Sequence, residues 1–505
     1  MSGPNENDHE TIGEVLIVGG GNAGLITALL MREINSGIDV AVVDDFDEEI
    51  PEVGKSTLTY ITHTLHEILG IDETRFVSEV KPVWKGSVYF TDWCGRGPFH
   101  VPFDGYTLHP GDPGPRRFET LYERYETENY HTLGEEIVER GVTPLVRENY
   151  YTRRVGDFTQ YDQVAYQFGT NRLNRFLRDV CIERGIELIN DPITDVRTSD
   201  NRIESITSGT SEYESGLYID ATGFERLLMG NLENDFDRFD FPLDSALVAQ
   251  TDLLPHDIVP ATVINSGEYG WFWQIDTFGW RDVGYVYSSE HVSEDEAKAE
   301  FLAEKDGISE SDVQQYGFES GFYEEAWVEN CIAVGNALGF VEPIQSTALT
   351  LNARLAEELA ELLADHYRIN HRGLRDVYNT AARSVWNNVY DFVSIHYRYA
   401  SGENEFWEAM RSVNDPDRLD EYVGRYHENG FASYEKFGAQ GPTVDIFGHY
   451  LFYQLLRSLG VDSEFYERVD IEVSPGVKTD IETVSENVRN RANQHLSYGE
   501  AYKLF

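Results

Sequence analysis

The sequence predicts an α/β protein: a dinucleotide-binding unit near the N-terminus, strands that return to it late in the chain, and a mostly helical C-terminal region. Three observations predict this. The apolar run Glu14-Val15-Leu16-Ile17-Val18 feeds directly into Gly19-Gly20-Gly21-Asn22-Ala23-Gly24, then a helix-like stretch from Leu25 to Met31, then a second apolar run from Asp39 to Val43 that ends at Asp44. Two further buried-strand patterns lie far downstream, at 216–223 and 331–337. Residues 350–505 show helical apolar spacing, strongest over 384–399 and 445–459.

Strand, glycine turn, helix, strand and terminal acid form the unit that cradles a dinucleotide. Gly19 permits the turn, Gly21 lets the backbone approach a pyrophosphate, and Gly24 lets the helix sit close to the strand. Asn22 and Ala23 open the helix, where free amides and the helix dipole favour an anion. Asp44 follows Gly24 by twenty residues, the spacing that suits a ribose hydroxyl. The late strands favour FAD over a nicotinamide. They imply a glutathione-reductase-like FAD-binding Rossmann domain that is discontinuous, over 12–110, 150–223 and 328–368. Between its parts, 111–149 and 224–327 form a substrate-side region, with β alternation at 271–275 and 284–288. Residues 369–505 form the helical region, and a helix is expected from Ser346 to Tyr367.

Charge excludes whole classes of partner. The 505 residues carry 89 Asp and Glu against 40 Lys and Arg, a formal charge of −49. Such a surface repels nucleic-acid phosphates and anionic lipids, so neither a nucleic acid nor a membrane is an expected partner. An acidic chain repels itself in dilute buffer, and molar salt shortens the Debye length to about 3 Å. A salt-adapted (halophilic) protein of a salt-rich cytoplasm is expected, and progressive loss of structure on dialysis to low salt is its test; an ordinary acidic cytosolic protein is the other reading. Cys94, Cys181 and Cys331 are widely spaced, without a CxxC pair, and provide neither a disulfide framework nor a metal site. The polar opening stretch and the lack of an apolar run near eighteen residues point to a cytoplasmic location.

Beyond the glycine turn, ordered landmarks run from about Val15 to Trp407. They are Val53-Gly54-Lys55-Ser56-Thr57, Lys85 eight residues before Trp93, Trp271-x-Trp273-x-Ile275, Gly284 to Ser289, Gly339-Phe340-Val341-Glu342-Pro343-Ile344-Gln345-Ser346-Thr347, and His396-Tyr397-Arg398 with Phe406-Trp407. In these the sequence resembles the flavin-dependent halogenases, often called tryptophan halogenases. The resemblance implies FAD used as FADH2, supplied by a separate NAD(P)H-dependent flavin reductase. O2 would give a flavin hydroperoxide, a bound chloride or bromide would attack it, and hypohalous acid would travel to a lysine beside a small aromatic substrate. By position that lysine is Lys85. The halide would lie against the amides of Thr347 and Ala348. Lys55, Ser56, Thr57, Gly335 and Asn336 would join the cofactor site, and Trp84, Trp271, Trp273 and Gln345 the substrate site. A homodimer is compatible with the family.

The residues also carry readings of their own. Lysine is scarce, eight in the chain, yet Lys55, Lys81 and Lys85 fall within one stretch of 31 residues. Lys85 lies in an aromatic-rich, strand-like run from Pro82 to Phe90. Burial there would lower its pKa and let it hydrogen-bond to HOX or become a haloamine; a surface lysine is the plain alternative. Lys55, where the family commonly has Glu, is either a cation near the flavin or a solvated loop residue. Gln345 stands where tryptophan-specific members carry Glu, and an amide cannot act as a general base. That departure argues for an activated ring such as a phenol over free tryptophan, with Glu342 three residues earlier as a weaker candidate base. Asp276, where the motif normally has Pro, adds an acid near the expected substrate side. Trp271 and Trp273 share one strand face, as core or as an aromatic wall. His396 and Tyr397 are read as packing. A flavin-dependent aromatic monooxygenase is the competing activity, and a non-catalytic flavin-binding relative the third reading.

Overall fold

The computed structural model describes residues 10–48, 50, 54–104, 132–148, 150–305, 307–365, 369–370, 372–412, 417–429, 446–465 and 475–505. Val53 and most of 111–149 lie outside the described residues. Within them, the apolar runs at Glu14–Val18, Asp39–Asp44, Leu217–Asp220 and Cys331–Ala333 become strands. They assemble, with Glu187–Asn190 outside Asp39–Asp44, into a parallel array. Trp327–Val328 closes the other edge antiparallel. Inner strands such as Leu217–Asp220 are buried throughout, which is why their sequences read as continuous rather than alternating apolar runs.

Helix Asn22–Ile34 packs against helices Thr170–Glu183 and Ala348–Asp365. The amide of Asn35, just past its end, donates to Ala360 O at 2.6 Å and ties the N-terminal unit to a helix more than 300 residues away. The later segments therefore pair and pack directly with the first βαβ unit.

A second sheet takes strands in the order Gln314–Gly317, Ser245–Asp252, Trp280–Tyr287, Gly270–Asp276, Ala261–Ser266, Ser87–Asp92 and Phe99–Pro102. The expected division placed the last two with the nucleotide unit. Instead, Ser87–Asp92 runs parallel to Ala261–Ser266 and extends the substrate-side sheet. A small sheet, Lys55–Ser56 with Ala165–Phe168 and Val83–Lys85, carries both Lys55 and Lys85.

The helix expected at 384–399 begins earlier and spans Arg372–Arg398. Its first turns look polar, but Leu374, Tyr378, Ala382, Val385, Trp386 and Val389 form one buried stripe. The helix expected at 445–459 spans His449–Ser458. The chain's end folds back on the strand that holds Lys85: Tyr498 donates its hydroxyl to Trp84 O, and Tyr502 to Pro82 O, each at 3.0 Å. Among the described residues no helix is long and apolar enough to cross a membrane.

Candidate active site

At the glycine turn, space is fixed by backbone approach. Gly19 has φ +110°, and a Cβ there would fall 2.4 Å from Ala221 O; a Cβ at Gly24 would fall 2.0 Å from Gly19 O. Above Gly21, by contrast, nothing lies within 4 Å of a Cβ position. Helix Asn22–Ile34 begins at that opening with Gly21 as its N-cap. Asp44 Oδ2 accepts from Gly20 N at 2.6 Å, placing the carboxylate at the turn's edge. Gly335, at φ +58°, approaches Ala23 so closely that a Cβ would sit 2.9 Å from the alanine methyl. Asn352 Nδ2 also donates to Ala23 O at 3.2 Å. The buried amide oxygens of Asn22 and Asn352 accept no hydrogen bond among the described residues. An open cleft, unspent helix-start amides and two unpartnered buried oxygens fit a polar dinucleotide.

The segment after Gly54 behaves differently from expectation. Ser56 Oγ pairs with Thr262 Oγ1 at 2.7 Å. The Thr57 hydroxyl donates to Tyr166 O at 2.9 Å and accepts from Tyr166 N at 3.1 Å. Both hydroxyls are held by the fold, so Thr57 is not a free cofactor ligand through its side chain. Lys55 has surface access, yet protein crowds its ammonium enough that desolvation lowers its pKa, with Asp282 opposing the shift. Lys55 thus stands in the strand of the small sheet beside Asp282, where both the cation and the solvated reading place a charged head group at the surface.

Lys85 is fully buried. Its Nζ donates to Thr57 O and to Ser346 Oγ, each at 3.2 Å, and lies 5.3 Å from the centre of the Phe103 ring. Desolvation pushes its pKa well below the ordinary lysine value. Ser346 is in the left-handed region at φ 57°, a costly conformation for a residue with a Cβ, and it turns the chain into helix Ala348–Asp365. Thr347 and Ala348 thus stand at a helix start, as the sequence implied, with Leu351 N closing the first turn on Thr347 O at 2.8 Å.

Beside Ser346, Gln345 lines a cavity of about 130 Å³ together with Phe103, Phe392, Phe447, Thr350 and Arg354. Its size approaches that of the roughly 150 Å³ dry cavity that accommodates benzene, the scale of a single small ring. Gln345 Nε2 is 2.8 Å from His396 Nε2. His396, read from the sequence as packing, thus also holds a candidate site residue, and like Phe103 and Ser346 it was not among the residues that the sequence singled out for the site. Its place in the ordered landmarks was the available signal.

Several sequence-named residues are not brought to this cavity. Glu342 is buried, and its carboxyl accepts from Trp271 Nε1 at 3.1 Å, Tyr397 Oη at 2.9 Å and Ile344 N at 3.1 Å. With its oxygens so engaged it cannot stand in as the base at Gln345. Trp271 is thereby a core hydrogen-bond donor. Trp273 lies against Gly284, where a Cβ would be 2.3 Å from its ring. Trp84, one residue from Lys85 in the strand, donates to Gln160 Oε1 at 3.0 Å and packs on Tyr498. None of the three tryptophans lines the cavity at Gln345. Asp276 is also structural: it is buried, takes Arg281 on both oxygens at 2.7 and 2.8 Å, and accepts from Val259 N at 2.8 Å.

Comparison with known proteins decides the family. The tryptophan halogenase family profile matches residues 14–470. The chain belongs to this family. It is 30% identical over 441 residues to a 7-chloro-L-tryptophan 6-halogenase of Kutzneria sp. (strain 744), covering 81% of this chain and 84% of the relative. It is 29% identical over 448 residues to a tryptophan 6-halogenase of Streptomyces toxytricini, covering 82% and 83%. The crystal structure of a lanthipeptide tryptophan 5-halogenase superposes with a TM-score of 0.82 at 27% identity, over 99% of this chain and 94% of that one. This family member is accordingly a flavin-dependent halogenase-type oxidoreductase whose chemistry is FADH2- and O2-dependent halogenation. Family membership implies use of FAD, halide and O2.

Proposed function

We propose that this halogenase transfers chlorine or bromine to a small, electron-rich aromatic ring seated in the cavity beside Gln345, with Lys85 as the residue that delivers the halogen. The observation that carries this reading is the buried Lys85 ammonium position, bridging Thr57 O and Ser346 Oγ behind the cavity residue Phe103.

FAD would be held by the amides of Gly21, Asn22 and Ala23, by Asp44, and by Lys55, Gly335 and Asn336. The backbone of Ser56 and Thr57, more than their committed hydroxyls, completes that set. When bound, the reduced flavin with O2 would supply the oxidising power for turning halide into hypohalous acid. Thr347 and Ala348 hold the halide by backbone amides, which needs no basic side chain. Desolvation favours the neutral amine of Lys85, which would take halogen from HOX with loss of water and pass it to the ring, the proton that the ring gives up restoring the N–H that the amine lost. The ring's own acidity assists that last step, because Gln345 is not a base. This disfavours free tryptophan, although the named relatives are tryptophan halogenases. The reduced cofactor comes from a separate NAD(P)H-dependent reductase, and the segments expected over 12–110, 150–223 and 328–368, less the strands Ser87–Asp92 and Phe99–Pro102, form the cofactor half.

The test supplies FADH2, O2 and bromide with a panel of indoles, phenols and pyrroles in molar salt, and reads products by mass spectrometry. A brominated product is expected. Hydroxylated products alone would replace halogenation by monooxygenation, and consumption of FADH2 without any product would identify a non-catalytic relative.

A further inference from the structure

We infer that Gln345 is a specificity-determining residue, whose side-chain carbonyl is fixed as a hydrogen-bond acceptor facing the cavity and selects aromatic rings bearing an N–H or O–H donor. The inference rests on the substrate cavity proposed above and adds to it the atom that reads the ring.

The argument starts at the far side of His396. Its Nδ1 lies 3.1 Å from Phe392 O and 3.2 Å from Val393 O, in the preceding turn of its own helix. Carbonyl oxygens only accept, so Nδ1 carries the proton. The ring is fully buried, and desolvation lowers its pKa to about 4, so it stays neutral at ordinary pH. A neutral imidazole with its proton on Nδ1 offers a lone pair at Nε2. The group 2.8 Å from that lone pair must donate, and only the amide nitrogen of Gln345 can. The imidazole thus fixes the amide orientation.

The consequence falls on the other half of the amide. Gln345 Oε1 accepts no hydrogen bond among the described residues, and the side chain that carries it lines the cavity. The cavity is otherwise walled largely by apolar side chains, among them the rings of Phe103, Phe392 and Phe447, and its donors Thr350 and Arg354 pair with Leu58 N and with Tyr60, Glu357 and Glu358, leaving none recorded on Oε1 among the described residues. A ligand with a donor satisfies the carbonyl. A ring of the same shape without one leaves it desolvated and unpaired, which is the arrangement by which buried sites reject isosteres. A glutamate at the same position would bring a charge and basic oxygens; glutamine keeps the acceptor and removes the base.

Equilibrium dialysis of the full-length, FAD-loaded protein tests this with shape-matched pairs: phenol against fluorobenzene, and indole against benzothiophene. The donor-bearing member of each pair is expected to bind at least about tenfold more tightly. In Gln345→Met the ratio should fall to about one, whereas Gln345→Glu, which retains an acceptor, should keep it above one. Equal binding within both pairs by the unaltered protein, or a preference unchanged in Gln345→Met, would overturn the inference. The binding assay uses no reductant or O2 turnover. Halogenation without pair selectivity would therefore sink only the role of Gln345, and pair selectivity without halogenation only the proposed reaction.

Discussion

The nucleotide cradle and the chamber around Lys85 are built in opposite ways. The cradle is made of backbone: Gly19 and Gly24 admit no side chain, and the open space over Gly21 is bounded by a helix start. The chamber is made of side chains from distant segments. Phe103 and Gln345 line its cavity, and Lys85, Ser346 and His396 stand behind them, so that three stretches of the chain converge there. A site made of glycines within six residues is encoded locally, whereas a site made by convergence depends on every element that aligns its walls.

The largest expected effect lies in the chamber. Lys85→Met should lower halogenated product at least about a hundredfold, while FADH2 oxidation and peroxide release continue; this is read by parallel product and peroxide assays. Unchanged product would remove Lys85 from the chemistry and leave only the cradle as a functional site. Gly24→Ala applies the same question to the cradle. The new methyl would meet Gly19 O, so FAD retention should fall sharply and stability drop by about 1–3 kcal/mol, seen by gel-filtered flavin content and denaturant unfolding.

Asp276→Ala separates framework from chamber. Removing a buried carboxylate that holds Arg281 and Val259 N should cost about 3 kcal/mol of stability, yet leave the product pattern among rings unchanged. A changed pattern would return Asp276 to the substrate side. A pH-dependent effect sets Glu342 apart, because burial raises its pKa to about 8. Between its unfolded value near pH 4.5 and about pH 8, the folded chain holds a proton that the unfolded chain has released. Stability from this group is therefore complete at low pH and lost as pH rises through that window, by at most about 1.4 kcal/mol per unit. The difference in unfolding free energy between the parent and Glu342→Gln, followed from pH 5 to 9, should show that slope and flatten above pH 8.

Resemblance in ordered motifs picked out Lys85, Gln345, Thr347 and Ala348, and all four lie along one connected stretch of the structure. The same motifs misplaced the roles of neighbours. Alternation puts Trp271 on one strand face and left it open as core or substrate wall, because alternation does not say what meets the ring; in the structure its Nε1 donates to Glu342. Thr57 looked like a cofactor ligand because hydroxyls suit phosphates, but strand pairing presents it to the Tyr166 backbone. Asp276 looked like an added acid until Arg281, five residues on, closed on it across a hairpin.

By itself the sequence determined the βαβ unit, the late return of its strands, and the acid surface, because each rests on local patterning or on composition. Only the tertiary structure decided that His396 orients Gln345, that Glu342 is occupied, and that Lys85 is dry. Desolvation and hydrogen-bond direction depend on which groups meet across hundreds of residues, and no local spacing encodes those meetings.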